Sequence, residues 1–176
     1  MIKVFETERL AVREIVLEDF EQMHALCSDA EVMKYVGNLL PYKEPQTRQV
    51  ILKCLRSYSW YGWGGWALEL KNNNEFVGYG GFEFVKERSM PELFYIFLPS
   101  FWGQGFASEF AQRAREYAFD SLNLEKIGAS FDPANHASMK VARKAGFEFS
   151  HEGFDEFNLP TIYYVVARTI KASELK

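Results

Sequence analysis

The order of hydrophobic periods along this 176-residue chain predicts a mixed α/β fold, one sheet flanked by helices. Two observations carry that expectation. First, the period changes along the chain: an opening strand, two helices and three strands are followed by a helix, a strand, a helix and two closing strands. Second, 20.4 kDa is the size of one domain, and 48% hydrophobic residues fill a core that hides roughly 70% of the unfolded surface. Residues 1–176 are therefore expected to form a single domain, with no linker, repeat or low-complexity tract.

The elements follow in order. Leu10, Val12 and Ile15, with Arg9, Arg13 and Glu14 between them, mark a first strand. Phe20, Met23, His24 and Cys27 give the apolar face of a helix starting near Asp19. Val50, Ile51, Cys54, Leu55 and Tyr58 recur at helical spacing, predicting a second helix from about Gln46 to Tyr58. The aromatic and glycine-rich stretch from Tyr58 to Trp66 fits no regular period and is expected to be a loop. Trp66–Leu70 and Phe76–Val85 predict a hairpin around an Asn-rich turn, and Glu92–Leu98 a third strand closed by Pro99. From Gly103 the period turns helical, with Ala107, Phe110, Ala111, Ala114, Tyr117 and Ala118 on one stripe ending near Ser121. Ile127–Phe131 is a strand, Asn135 an expected cap and Gly146 an expected left-handed stop of the next helix, and Phe147–Phe149 and Ile162–Ala167 close the sheet.

Composition narrows the function classes. Twenty Lys and Arg against 24 Asp and Glu leave a net charge of -4, which argues against a general nucleic-acid binder. The uncharged stretch from Leu93 to Ser108 is too short, and too broken by Pro99, Gly103 and Gly105, for a membrane span of about 20 residues. The amino terminus has no apolar secretory core, so the expected location is the cytoplasm. Cys27 and Cys54 lack close Cys or His neighbours and are expected as buried thiols, and no metal site is expected. His24, His136 and His151 are spread along the chain without metal spacing.

The chemistry concentrates at Trp102-Gly103-Gln104-Gly105-Phe106-Ala107, which follows a strand and opens a helix. Amides at a helix start have no intrahelical acceptor and point outward together, and glycines let a phosphate approach the backbone. No Gly-Lys-Ser/Thr follows, and Glu109 stands where a dinucleotide fingerprint would need its third glycine.

The segment from Glu92 to Glu109 resembles the pyrophosphate-binding segment of the GNAT N-acetyltransferase superfamily, and its Trp-Gly-x-Gly-aromatic-Ala form resembles the RimJ/RimL-like branch. Asn135-His136-Ala137-Ser138 through Lys144-Ala145-Gly146-Phe147 is similar to a second motif of that branch. Thr7-Glu8-Arg9-Leu10, Arg13 and Asp29-Ala30-Glu31-Val32-Met33 are also typical of it. The resemblance implies a mostly antiparallel sheet with a splayed central strand pair that takes acetyl-CoA as co-substrate. The pantetheine arm would meet the backbone at Phe97 and Leu98, and the phosphates would meet the amides of Gly103, Gln104, Gly105, Ala107 and Ser108. Asn135 would hold the arm, with Lys140, Arg143 or Lys144 near the 3'-phosphate. Trp102 replaces the usual Arg or Gln, and Ala142 the usual tyrosine acid, which leaves Ser138 as the proton donor to the sulfur.

Acetyl transfer needs a neutral amine, a polarised carbonyl and a proton for the sulfur. Glu92 is the first candidate for the base and Glu83 the second. At pH 7 an α-amine must lose about 1 kcal/mol of protonation preference and a lysine about 4.6 kcal/mol. The expected acceptor is thus the α-amine of a protein or peptide, with a polyamine, an aminoglycoside or a catalytically silent CoA-binding module as alternatives. Six acidic residues between Glu14 and Glu31 and the aromatics Trp60, Tyr61, Trp63 and Trp66 are candidates for the acceptor side. The assembly is expected to be a monomer or homodimer.

Overall fold

The structure, a computed structural model, describes residues 2–169. The chain runs β1 (Lys3–Glu6), β2 (Leu10–Glu14), α1 (Phe20–Cys27), α2 (Glu44–Tyr61), β3 (Gly65–Leu70), β4 (Phe76–Val85) and β5 (Met90–Phe97), then α3 (Phe106–Asp120), β6 (Lys126–Phe131), α4 (His136–Lys144), β7 (Glu148–Phe154) and β8 (Pro160–Ala167). The strands form one eight-stranded sheet in the order β1-β2-β3-β4-β5-β6-β8-β7. Every neighbouring pair is antiparallel except β5 and β6, which are parallel and joined at a single register pair, Glu92 with Gly128. Beyond that pair the two strands part.

Both sheet faces are covered. Phe106, Phe110, Ala111, Ala114 and Ala118 of α3 and Ala142 of α4 pack on one face with Phe5, Val12, Trp66, Phe82, Leu93 and Phe97. Met23, Leu26 and Cys27 of α1 and Ile51 and Cys54 of α2 pack on the other with Ile15, Ala67 and Phe76. Arg13, a residue of the motif set, is buried in an ion triad that ties β2 to the turn before α1 and to β3: it lies 2.7 Å from Asp19 and 2.6 Å from Glu69.

Three expectations need correction. A four-residue strand, β1, precedes the expected first one, too short to show alternation; it is held by the Thr7–Leu10 turn, where Thr7 N donates to Leu10 O at 2.9 Å. The stretch from Tyr58 to Trp66 is not a loop: α2 continues to Tyr61, Gly62 ends it at φ +75°, and β3 begins at Gly65. The crowded aromatics hid both periods, because Tyr58 works in two directions, accepting from Ile15 N at 3.0 Å and donating to Gly65 O. The third strand starts at Met90 and ends at Phe97, leaving Leu98 outside it.

Candidate active site

The gap between β5 and β6 is set by which backbone groups remain unpaired. Leu98 N donates to Val77 O at 2.9 Å, so Leu98 and, by alternation, Ile96 and Phe94 turn their peptide groups toward β4. Tyr95 and Phe97 therefore turn theirs toward the gap. Phe97 O accepts from Trp102 Nε1 at 2.7 Å, which leaves Phe97 N and the Tyr95 backbone facing the opening. Leu98 departs from the expectation, because its carbonyl is also engaged, accepting from Phe101 N at 2.9 Å. Tyr95 and Phe97 are the pair that offers an edge.

The Gly103–Ser108 turn sits at the gap's rim. Gly103 and Gly105 have φ of +72° and +85°, conformations that favour glycine, and a Cβ on Gly103 would meet nothing within 4 Å. The first intrahelical bond of α3 is made by Glu109 N to Gly105 O at 3.0 Å, so the amides of Phe106, Ala107 and Ser108 precede it and stay open to a ligand. Trp102 does not enter this turn as a ligand; its indole spans back to β5.

Across the gap, Asn135 caps α4 by accepting from Ser138 N at 3.0 Å, and Gly146 takes the left-handed conformation at φ +83°. The Tyr95 hydroxyl stands 3.5 Å from the Ser138 carbonyl oxygen, and burial pushes its pKa up to about 12. Sequence reasoning missed Tyr95 as a polar group of this site. Strand alternation could have found it, since it shares the face of Leu93 and Phe97 that meets α3 and α4.

Glu92 and Glu83 lie directly opposite each other on β5 and β4. Glu92 is buried, accepts from Ser130 Oγ at 2.8 Å and is ion-paired with Arg88. Burial raises its pKa above the ordinary carboxylate value, while Arg88 and Ser130 oppose that rise. Glu83 is exposed and ion-paired with Lys53 of α2. Both carboxylates are thus on the α1/α2 side of the sheet, opposite the face that carries Ser138. A thioester lying in the gap could be attacked from one side while its sulfur is served from the other.

These features are the hallmarks of one family, whose model, described as the acetyltransferase (GNAT) domain, matches residues 9–148. The chain belongs to the GNAT acetyltransferase family. It is an N-acetyltransferase that uses acetyl-CoA. The uncharacterized N-acetyltransferase p20 of Bacillus licheniformis is 33% identical over 81% of this chain and 80% of its own length. The spermidine N(1)-acetyltransferase of Escherichia coli is 27% identical over 83% and 76% of the two chains. The crystal structure of a GNAT-family acetyltransferase from Bacillus anthracis superposes with a TM-score of 0.79 at 26% identity, covering 95% of this chain and 98% of that one.

Other expected residues of the GNAT site are redistributed. Arg143 donates to the Tyr164 hydroxyl at 3.2 and 3.1 Å, so of the three basic candidates it is the one already engaged through its side chain, while Lys140 is exposed. Trp63 and Trp66 are core residues, Tyr61 at the end of α2 stacks on Trp63 with ring centroids 5.0 Å apart, and Trp60 stands exposed. Of the six acidic residues, Asp19 is consumed by Arg13, and Asp29 accepts from Glu31 N at 2.8 Å. A cavity of about 120 Å³ lies instead beside Ser130, with Asp132, Asp155, Tyr35 and Leu39 in its wall. Among the described residues no group of three or more His, Cys, Asp or Glu side chains could hold a metal, and no helix is long and apolar enough to cross a membrane.

Proposed function

We propose that this chain acts as one GNAT domain that passes the acetyl group of acetyl-CoA directly to the α-amine of a protein or peptide, as in the RimJ/RimL branch its motifs resemble. The observation that carries the acceptor is the condition of Glu92, a buried carboxylate already paired with Arg88. Even with its pKa raised by burial, a carboxylate is a weak base beside an amine. An α-amine asks for about 1 kcal/mol of deprotonation at pH 7, against about 4.6 kcal/mol for a lysine.

In this scheme Gly103, Gln104, Gly105, Ala107 and Ser108 hold the pyrophosphate through their amides, and Asn135 with the Tyr95 and Phe97 edge holds the pantetheine arm. Glu92, through water, takes the proton from the amine as the N–C bond forms, with Glu83 as the second candidate. The C–S bond breaks, and Ser138, with Tyr95 beside it, supplies the proton to the sulfur and regains one from solvent as Glu92 releases its own. An acyl-cysteine intermediate finds no support: Cys27 and Cys54 are buried on the α1/α2 side, and burial raises both pKa values, that of Cys27 to about 12.

A second acceptor class, a small cationic amine, is favoured by Asp132 and Asp155 at the cavity beside Ser130 and by the spermidine-acetylating relative. Thiol release from acetyl-CoA separates the two. Peptides with a free α-amine should drive release, and the same peptides blocked at the terminus but carrying lysine should not. Release driven by polyamines or aminoglycosides alone would overturn the α-amine proposal.

A further inference from the structure

The Thr7–Leu10 segment has no part in the reaction scheme, yet it reaches the phosphate turn. It forms the tip between β1 and β2 and grips the first turn of α3 through Glu109. Glu109 Oε1 accepts from Thr7 Oγ1 and, at 2.7 Å, from Arg9 N; Oε2 accepts from Arg9 Nε at 2.7 Å. The same guanidinium donates from Nη1 to Gln104 O at 3.0 Å and lies 4.0 Å from the centre of the Phe106 ring. A Cβ on Gly105 would stand 3.5 Å from Arg9 Nη2.

Two consequences follow from this geometry. A peptide unit is planar, with its C=O and N–H on opposite sides. Holding the Gln104 carbonyl against Arg9 therefore aims the Gly105 N–H the other way, toward the open rim. The flanking glycines, at φ +72° and +85°, impose no side-chain restraint of their own, so the peptide needs an external tether. Glu109, moreover, is the acidic residue of the first turn of α3, where its charge would repel an incoming anion. Arg9 pairs with that charge.

We infer that Arg9 is a positioning residue for the donor's pyrophosphate, fixing the Gly105 amide through the Gln104 carbonyl and neutralising Glu109. This rests on Gly103–Ser108 being the phosphate turn. The test is calorimetric titration with CoA and, at millimolar concentration, with pantetheine, which lacks the pyrophosphate and nucleotide. Wild-type protein should bind CoA far more tightly than pantetheine. Arg9→Gln should weaken CoA about tenfold, the worth of one charge-assisted hydrogen bond, and leave pantetheine unchanged. Arg9→Lys, which keeps the charge but cannot span both partners, should weaken CoA in the same selective way, and it stands in if Arg9→Gln does not fold. An unchanged CoA affinity in the variants, or an equal loss for both ligands, overturns the positioning role. Equal binding of the two ligands by the wild type overturns the phosphate-turn assignment itself, and the role of Arg9 with it.

Discussion

Glu92 shows how a residue's surroundings define its task. Burial raises its pKa, and Arg88 and Ser130 restrain the rise, so the carboxylate stays ionised only above a pH higher than a free glutamate requires. The acid side of the kcat/KM profile for an α-amine should fall with one proton below the amine pKa. It should steepen to a two-proton dependence below the Glu92 pKa, which burial holds above the ordinary carboxylate value. Glu92→Gln should lower kcat/KM by about a hundredfold and keep the one-proton slope throughout. Steepening that survives in the variant would remove Glu92 as the base. The sequence singled out Glu92 and Glu83 as residues, but it held no sign of the Lys53 partner, whose approach to Glu83 depends on the packing of α2, whereas Arg88 lies only four residues before Glu92 and meets it through the turn that opens β5.

Elements that carry their own punctuation were legible from sequence. Asn135 capping α4, Gly146 ending it, Gly105 before α3 and the hairpin around the Asn-rich turn all stand where local chemistry put them. Elements whose signals depend on distant partners were not: β1 is defined by its pairing with β2, and the end of α2 was masked by aromatics that serve the core. The Asn135 cap separates a structural role from a ligand role. Asn135→Ala should cost about 1 kcal/mol of stability in denaturant unfolding, and Asn135→Asp, also a good cap, should restore it. If Asn135 also holds the pantetheine arm, Asn135→Asp should still show a raised KM for acetyl-CoA, since the carboxylate has no amide hydrogens to donate. Recovery of both stability and KM would reduce Asn135 to a cap.

At the scale of the whole molecule, one topological fact organises the candidate site. The sheet has a single parallel neighbour pair, β5 and β6, joined only at Glu92 and Gly128, and the strands part beyond it. The 103–108 turn, the cap of α4, the gap-facing backbone of Tyr95 and Phe97 N, and the Glu92 carboxylate all gather around that parting, although they are spread from Glu92 to Ser138 in sequence. Two helices cover each face of the sheet beside it. The motifs pointed to the turn and to Asn135, whereas register alone shows that the Leu98 backbone is already bonded and that Tyr95 turns its peptide groups toward the gap.

Backbone amide resonances recorded with and without CoA test this placement most directly. The amides of Tyr95, Phe97, Gly103, Gln104, Gly105, Ala107 and Ser108 should show the largest shifts, with Leu98 among the lesser ones because its N–H is held by Val77 O. Shifts concentrated elsewhere, with the 103–108 turn and the Tyr95–Phe97 edge unmoved, would contradict it.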